Sequence, residues 1–235
     1  MNIGLAVLEL IVVFSLVVLS DKLFKKEGLF AWASIALIIA NLIVGKTIDF
    51  FGFTGSLGNI AFASIFLAAD IISEKYGKKE AKRAIYLSVF SCASFVAITQ
   101  ISLLFIPSAN DTLQEPMKQL LSINIRTSIA SIVMFFVSNI VNIHLYNFLK
   151  KKFPKQLWLR NNVATILCNC LENYLFVGLA FAFIFPVMTI LSIATFKTVL
   201  EIIISVCSTP FLYAATKKFK KSKDDKIEEV AKEKK

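Results

Sequence analysis

Residues 58–83 read GNIAFASIFLAADIISEKYGKKEAKR. An apolar run of membrane depth carries two carboxylates one helical turn apart, Asp70 and Glu74. It then breaks into five basic residues, Lys75, Lys78, Lys79, Lys82 and Arg83. Carboxylates that deep in an apolar helix are costly against lipid, so they face a bundle interior or a watery cavity. The stretch therefore reads as one span of a polytopic membrane protein with a polar inside.

The rest of the chain agrees. Apolar residues make up 57% of the 235 and charged residues 18%, where a soluble domain has about half and about a quarter. Apolar runs near the length a spanning helix needs occupy residues 3–20, 29–44, 55–72, 84–106, 127–149, 163–185 and 187–215. The expected fold is all-α and polytopic, with about seven transmembrane helices, six sufficing for the core if the first merely flanks it. The first run has no basic segment before it and no obvious cleavage site, so it reads as a span rather than a signal peptide.

Of the 26 basic residues, 22 fall in the loops after runs one, three and five and in the tail. By the positive-inside rule these segments are cytoplasmic, which puts the N-terminus outside and the C-terminus inside. Residues 1–215 are then expected to form one transmembrane domain in the cytoplasmic (inner) membrane, and residues 216–235 a Lys/Glu-rich tail near anionic headgroups.

The four cysteines, Cys92, Cys168, Cys170 and Cys207, lie within runs and have neither disulfide-framework nor zinc spacing. There is no phosphate-binding loop, no HExxH and no GxSxG. No cofactor or metal is called for, and the chain does not read as an enzyme. Any transport must draw on an ion gradient, on trapping of the cargo downstream, or on a separate energising partner.

At about 100° per residue, the polar groups of four runs fall into stripes. Run three presents Ser56, Asn59, Ala63, Phe66, Asp70 and Glu74. Run five presents Ser128, Ser131, Phe135, Ser138, Asn139, Asn142 and Tyr146. Run six presents Asn162, Thr165, Asn169, Glu172, Asn173 and Phe176, and run seven Ala194, Lys197, Glu201, Ser205 and Ser208. Many of these Ser, Thr and Asn residues suit interhelical hydrogen bonding. Glu172 and Lys197 fall near the midplane, where an ion pair and a transporter site are expected; Glu201, one turn on, competes for Lys197. Glu74 has Lys75, Lys78 or Arg160 as alternative partners. His144, the sole histidine, lies opposite its helix's stripe and reads as interfacial.

Three segments carry a resemblance: LAADIISEKYGKKEAKR (67–83), LWLRNNVATILCNCLENYLF (157–176) and FKTVLEIIISVCSTPFLY (196–213). Together they resemble the queuosine precursor transporter family, also called vitamin uptake transporters, from about Gly55 to Tyr213. The resemblance implies uptake of a 7-deazaguanine base or queuine-like compound for tRNA modification. It gives weight to Asp70, Glu74, Tyr76, Gly77, Arg160, Asn161, Asn162, Glu172 and Lys197. The family pattern more often has Asp where this chain has Glu172, and Gln where it has Asn169.

The residues suit such a cargo. A guanine-like edge offers two adjacent N–H donors that one carboxylate accepts together; amides serve its carbonyl and ring nitrogen, and Phe66, Tyr174 or Phe176 its flat face. The expected substrate-binding set is Glu172, Asp70, Lys197, Asn162, Asn169, Asn59, Phe66 and Glu74, with Glu172 at the amidine edge. Expected partners are a small purine-like molecule and the bilayer, without nucleic-acid contact, and a homo-oligomer is left open. Two other readings stand beside importer: a substrate-capturing subunit of an energy-coupling-factor transporter, and an intramembrane lipid enzyme, for which no nucleophile–base pair is present.

Overall fold

The structure, a computed structural model, describes residues 2–44, 46–50, 53–121, 125–181 and 186–233. Its elements are α1 (Asn2–Ile43), β1 (Thr47–Phe50), β2 (Phe53–Ser56), α2 (Gly58–Lys75), α3 (Lys78–Ser102), α4 (Gln114–Leu121), α5 (Ile125–Lys152), α6 (Leu157–Phe181) and α7 (Val187–Glu233).

The first two expected spans are the two arms of α1. Lys25 interrupts it at φ 53°, ψ −130°, a region costly for any residue but glycine. The chain folds back there: a Cβ on Gly28 would lie 2.4 Å from the Ser20 carbonyl oxygen, whereas a continuous helix separates those positions by about 12 Å. The remaining spans correspond to α2, α3, α5, α6 and α7 with shifted ends. The tail starts as an unbroken continuation of α7, which runs to Glu233.

By length and apolarity, α1, α3, residues 132–152 of α5 and residues 187–217 of α7 are able to cross a membrane. The shorter α2 carries Asp70, Glu74 and Lys75 within its 18 residues, and α6 carries a run of asparagines and Glu172. The polar faces of these helices lie inside. Asp70, Ser73, Asn139, Asn142, Asn161, Asn169 and Asn173 are buried, while Leu8, Val12, Phe90, Ile98, Leu171 and Ile203 are exposed. Polar-in and apolar-out is the arrangement lipid selects. The protein is a multi-pass membrane protein.

Small residues let the helices approach. Ala33, Ala36 and Ala40 of α1 and Ala61, Ala68 and Ala69 of α2 are buried, and a Cβ on Gly58 would meet the Ala40 carbonyl at 2.7 Å. Such small-residue seams favour association in lipid. Trp32 Nε1 adds a hydrogen bond to Ser64 Oγ across this seam at 3.0 Å.

The loops expected to be cytoplasmic gather at one end. Asp21 pairs with Lys75, Lys26 with Glu80 at 3.1 Å, and Lys150 with Glu74 at 3.2 Å. At the other end lie the antiparallel β1–β2 hairpin and α4, which is tied to α3 by Gln100 Nε2 donating to the Leu121 carbonyl at 2.7 Å.

Candidate substrate site

The site is set by the register of α2 against α5, which run parallel. Phe62 meets Phe135 edge-on with centroids 5.5 Å apart, Asn142 Nδ2 donates to Asp70 Oδ1 at 3.1 Å, and Tyr146 donates to Glu74 Oε2 at 3.2 Å. The steps match along the two helices, about two turns from Phe62 to Asp70 and from Phe135 to Asn142, then one turn to Glu74 and Tyr146, so one face of α2 meets one face of α5 rung by rung. Helix α6 runs antiparallel beside α5 and closes the other side, and α7 runs antiparallel to α6.

The rung nearest the basic loops is an ion cluster. Arg160 Nη2 pairs with Glu74 Oε1 at 2.8 Å, and Lys150 with Glu74 Oε2. Arg160 Nη1 also donates to the Pro154 carbonyl at 2.8 Å, its guanidinium lies 5.8 Å from the Tyr146 ring centroid, and its side chain is 1% exposed. Glu74 is thus occupied by two cations and a phenol. This cluster ties α2, α5 and α6 together and leaves little of Glu74 for a ligand.

One turn inward, Asp70 is fully buried and receives only the Asn142 amide. On the next rung Ser138 Oγ donates to Glu172 Oε2. Beyond it lies an aromatic group: Phe66 is edge-on to Phe62, and the Lys197 ammonium sits 6.0 Å from the Phe62 centroid and 5.2 Å from that of Phe176. Cation–π contact holds the ammonium between the rings.

The expected Glu172–Lys197 ion pair does not form. Lys197 Nζ lies 3.6 Å from Glu201 Oε1, and Asn173 donates to Glu201 Oε2 at 2.7 Å. The physical reason is proximity: Glu201 follows Lys197 by four residues on the same helical face, while Glu172 on α6 turns toward Ser138 of α5.

The remaining expected residues divide. Asn169 is buried one turn from Glu172, and its Oδ1 has no donor. Asn162 is tied to Thr209 Oγ1 at 2.9 Å and to the Trp158 carbonyl, so it joins α6 to α7. Asn59 is half-buried near the start of α2. Tyr174 is 41% exposed and bonds Thr195, so it faces away from the base-stacking position. His144 is exposed and bonds the Ile140 carbonyl, as its place off the stripe implies. Ser56, Ser128 and Ser131 lie outside the residues whose side chains are described. Ser138, Asn139, Asn142 and Asn173 carry no signal in the sequence beyond their stripes, whereas Glu201 is the competing partner of Lys197 that its spacing implies. The signal for two of these contacts is the shared spacing of four: Asp70 and Glu74 on α2 match Asn142 and Tyr146 on α5.

A groove of about 570 Å3 opens elsewhere, between the first arm of α1 and α7, lined by Ile11, Leu16, Leu19, Lys22 and Phe211 among others. It is apolar and separate from the buried carboxylates.

Residues 56–215 match the family model described as "Putative vitamin uptake transporter". A curated relative from Bacillus subtilis (strain 168), the "Probable queuosine precursor transporter", is 34% identical over 209 residues, covering 88% of this chain and 91% of its own. No solved structure matches the chain. The matched segment holds every carboxylate of the buried ladder from Asp70 to Glu201, and the chain belongs to the vitamin uptake transporter family.

Proposed function

We propose that this protein imports a queuosine precursor, a 7-deazaguanine-type base, and binds it between α2, α5, α6 and α7 with Glu172 as the principal acceptor. The observation that carries the reading is the environment of Glu172. It is 5% exposed, hydrogen-bonded by Ser138, and in no ion pair among the described residues. A buried carboxylate so placed accepts the paired N–H groups of a guanine-like edge through a charge-assisted bidentate contact.

Neighbouring groups complete the recognition. Phe66, Phe62 and Phe176 offer apolar faces beside it, and Asn169 Oδ1 is a further acceptor. Lys197, held between two rings and Glu201, exchanges partners as the base arrives and leaves. Asp70 is the alternative acceptor, and Glu74 serves the closure of the basic end. A ligand lacking the donor edge leaves Glu172 and Asn169 unpaired in a dry site, which discriminates strongly against it.

The test is queuosine content of tRNA in cells unable to make the base, expressing this protein and fed sub-micromolar deazaguanines one at a time. Queuosine appearing with one compound, and lost in Glu172→Gln, supports the reading. Membrane-inserted protein that restores none of them refutes it.

A further inference from the structure

Two buried carboxylates, Asp70 and Glu172, lie in no ion pair among the described residues, and of the two only Asp70 keeps a buried oxygen without a donor. Asp21, Glu74 and Glu201 each lie within ion-pair distance of a lysine or arginine. Among the described residues no basic nitrogen comes that close to Asp70, although it is fully buried. Its Oδ1 accepts one amide, and its Oδ2 meets no donor.

Two asparagines of α5, three residues apart, repeat the pattern. Asn142 gives Nδ2 to Asp70, and Asn139 gives Nδ2 to the Phe135 carbonyl at 3.0 Å. Each amide is therefore oriented by an acceptor, and in each the atom left without a partner is Oδ1. Ser73 Oγ, one turn from Asp70 on α2, is also buried without a partner. A buried acceptor left unmade costs about 1–3 kcal/mol, so such a group on facing rungs of α2 and α5 marks a place built for something positive.

We propose that Asp70, Asn142 and Asn139 form a sodium site that couples uptake to the sodium gradient. The free atoms are all oxygens, the donors that hard cations take and soft metals do not. One carboxylate matches a single positive charge; a divalent ion calls for more. A proton on Asp70 satisfies one further oxygen at most, whereas a metal ion engages several together. The site touches the substrate machinery through α5: Asn139 adjoins Ser138, which holds Glu172. A cation drawing α2 and α5 together on this rung fixes Ser138 in place. The coupling rests on the import function proposed above, and the binding site does not.

The experiment measures 22Na+ binding to the purified full-length protein in lipid nanodiscs, with potassium and choline as competitors. Saturable binding displaced by unlabelled sodium alone, abolished in Asp70→Asn and weakened about tenfold or more in Asn142→Ala, is the expected result. Absence of saturable binding, or binding unchanged in either variant, overturns the site. Asn142→Ala carries the test if Asp70→Asn does not fold. Labelled base bound without sodium, and lost with Asp70→Asn, also overturns it by assigning Asp70 to the substrate. Uptake into proteoliposomes separates the two ideas. Sodium binding without uptake of any deazaguanine preserves the site and refutes import, and uptake indifferent to the sodium gradient refutes the coupling.

Discussion

Glu74 and Glu172 are both glutamates on polar stripes, the first with a side chain 8% exposed and the second buried, yet their surroundings give them different work. Glu74 is enclosed by Arg160, Lys150 and Tyr146. Removing one member of a buried ion pair strands the other, at a cost of about 3–5 kcal/mol. Arg160→Ala should therefore lower the thermal midpoint of the purified protein markedly, whatever its effect on uptake. Glu172→Gln keeps the side chain's shape and its contact with Ser138, so its midpoint should stay within a few degrees of wild type. It presents an amide donor to the donor edge of the base, and affinity should fall at least about a hundredfold, as read by equilibrium binding of labelled base. Burial of these side chains was legible in the sequence because periodicity assigns a residue to a face. Partner choice was not: whether Lys197 meets Glu172 or Glu201 depends on how α6 is turned against α5 and α7.

At the scale of elements, close approach decides the arms of α1 and their seam with α2. A Cβ on Gly28 would press on backbone of the opposite arm at Ser20, and one on Gly58 on backbone at Ala40. Neither backbone atom can rotate aside as a side chain does. Gly28→Leu and Gly58→Leu should each cost roughly 1–3 kcal/mol or more by overpacking, visible as lower midpoints and early aggregation in detergent. Lys25 takes a conformation that favours glycine. Lys25→Gly should raise stability by about 1 kcal/mol, the relieved strain outweighing the added freedom of the unfolded chain. The charge break at residues 22–26 announced a turn between two spans. The close crossing at Gly28 was not readable, because it depends on where the two arms meet in space.

For the molecule as a whole, the basic loops collect at one end and the β1–β2 hairpin and α4 at the other. Alternation of charge along the chain had implied the same pairing of ends, since loops on one side of a membrane must meet there. If the basic loops are cytoplasmic, as the charge pattern implies, single cysteines placed at Lys78 and Lys155 in a cysteine-free background should react with impermeant maleimide only after the membrane is opened. One at Asp111 should react in intact cells, and the reverse pattern would invert the topology. At this scale the proposed import function predicts transport by this chain without an energising partner. The most direct test is uptake of radiolabelled 7-deazaguanine bases into proteoliposomes containing only the purified protein, wild type beside Glu172→Gln. Saturable uptake of one base by wild type, reduced at least about a hundredfold in the variant, is the predicted result. Equal uptake by both, or none by folded wild-type protein, would contradict the assignment of Glu172 as the acceptor at the centre of an importer.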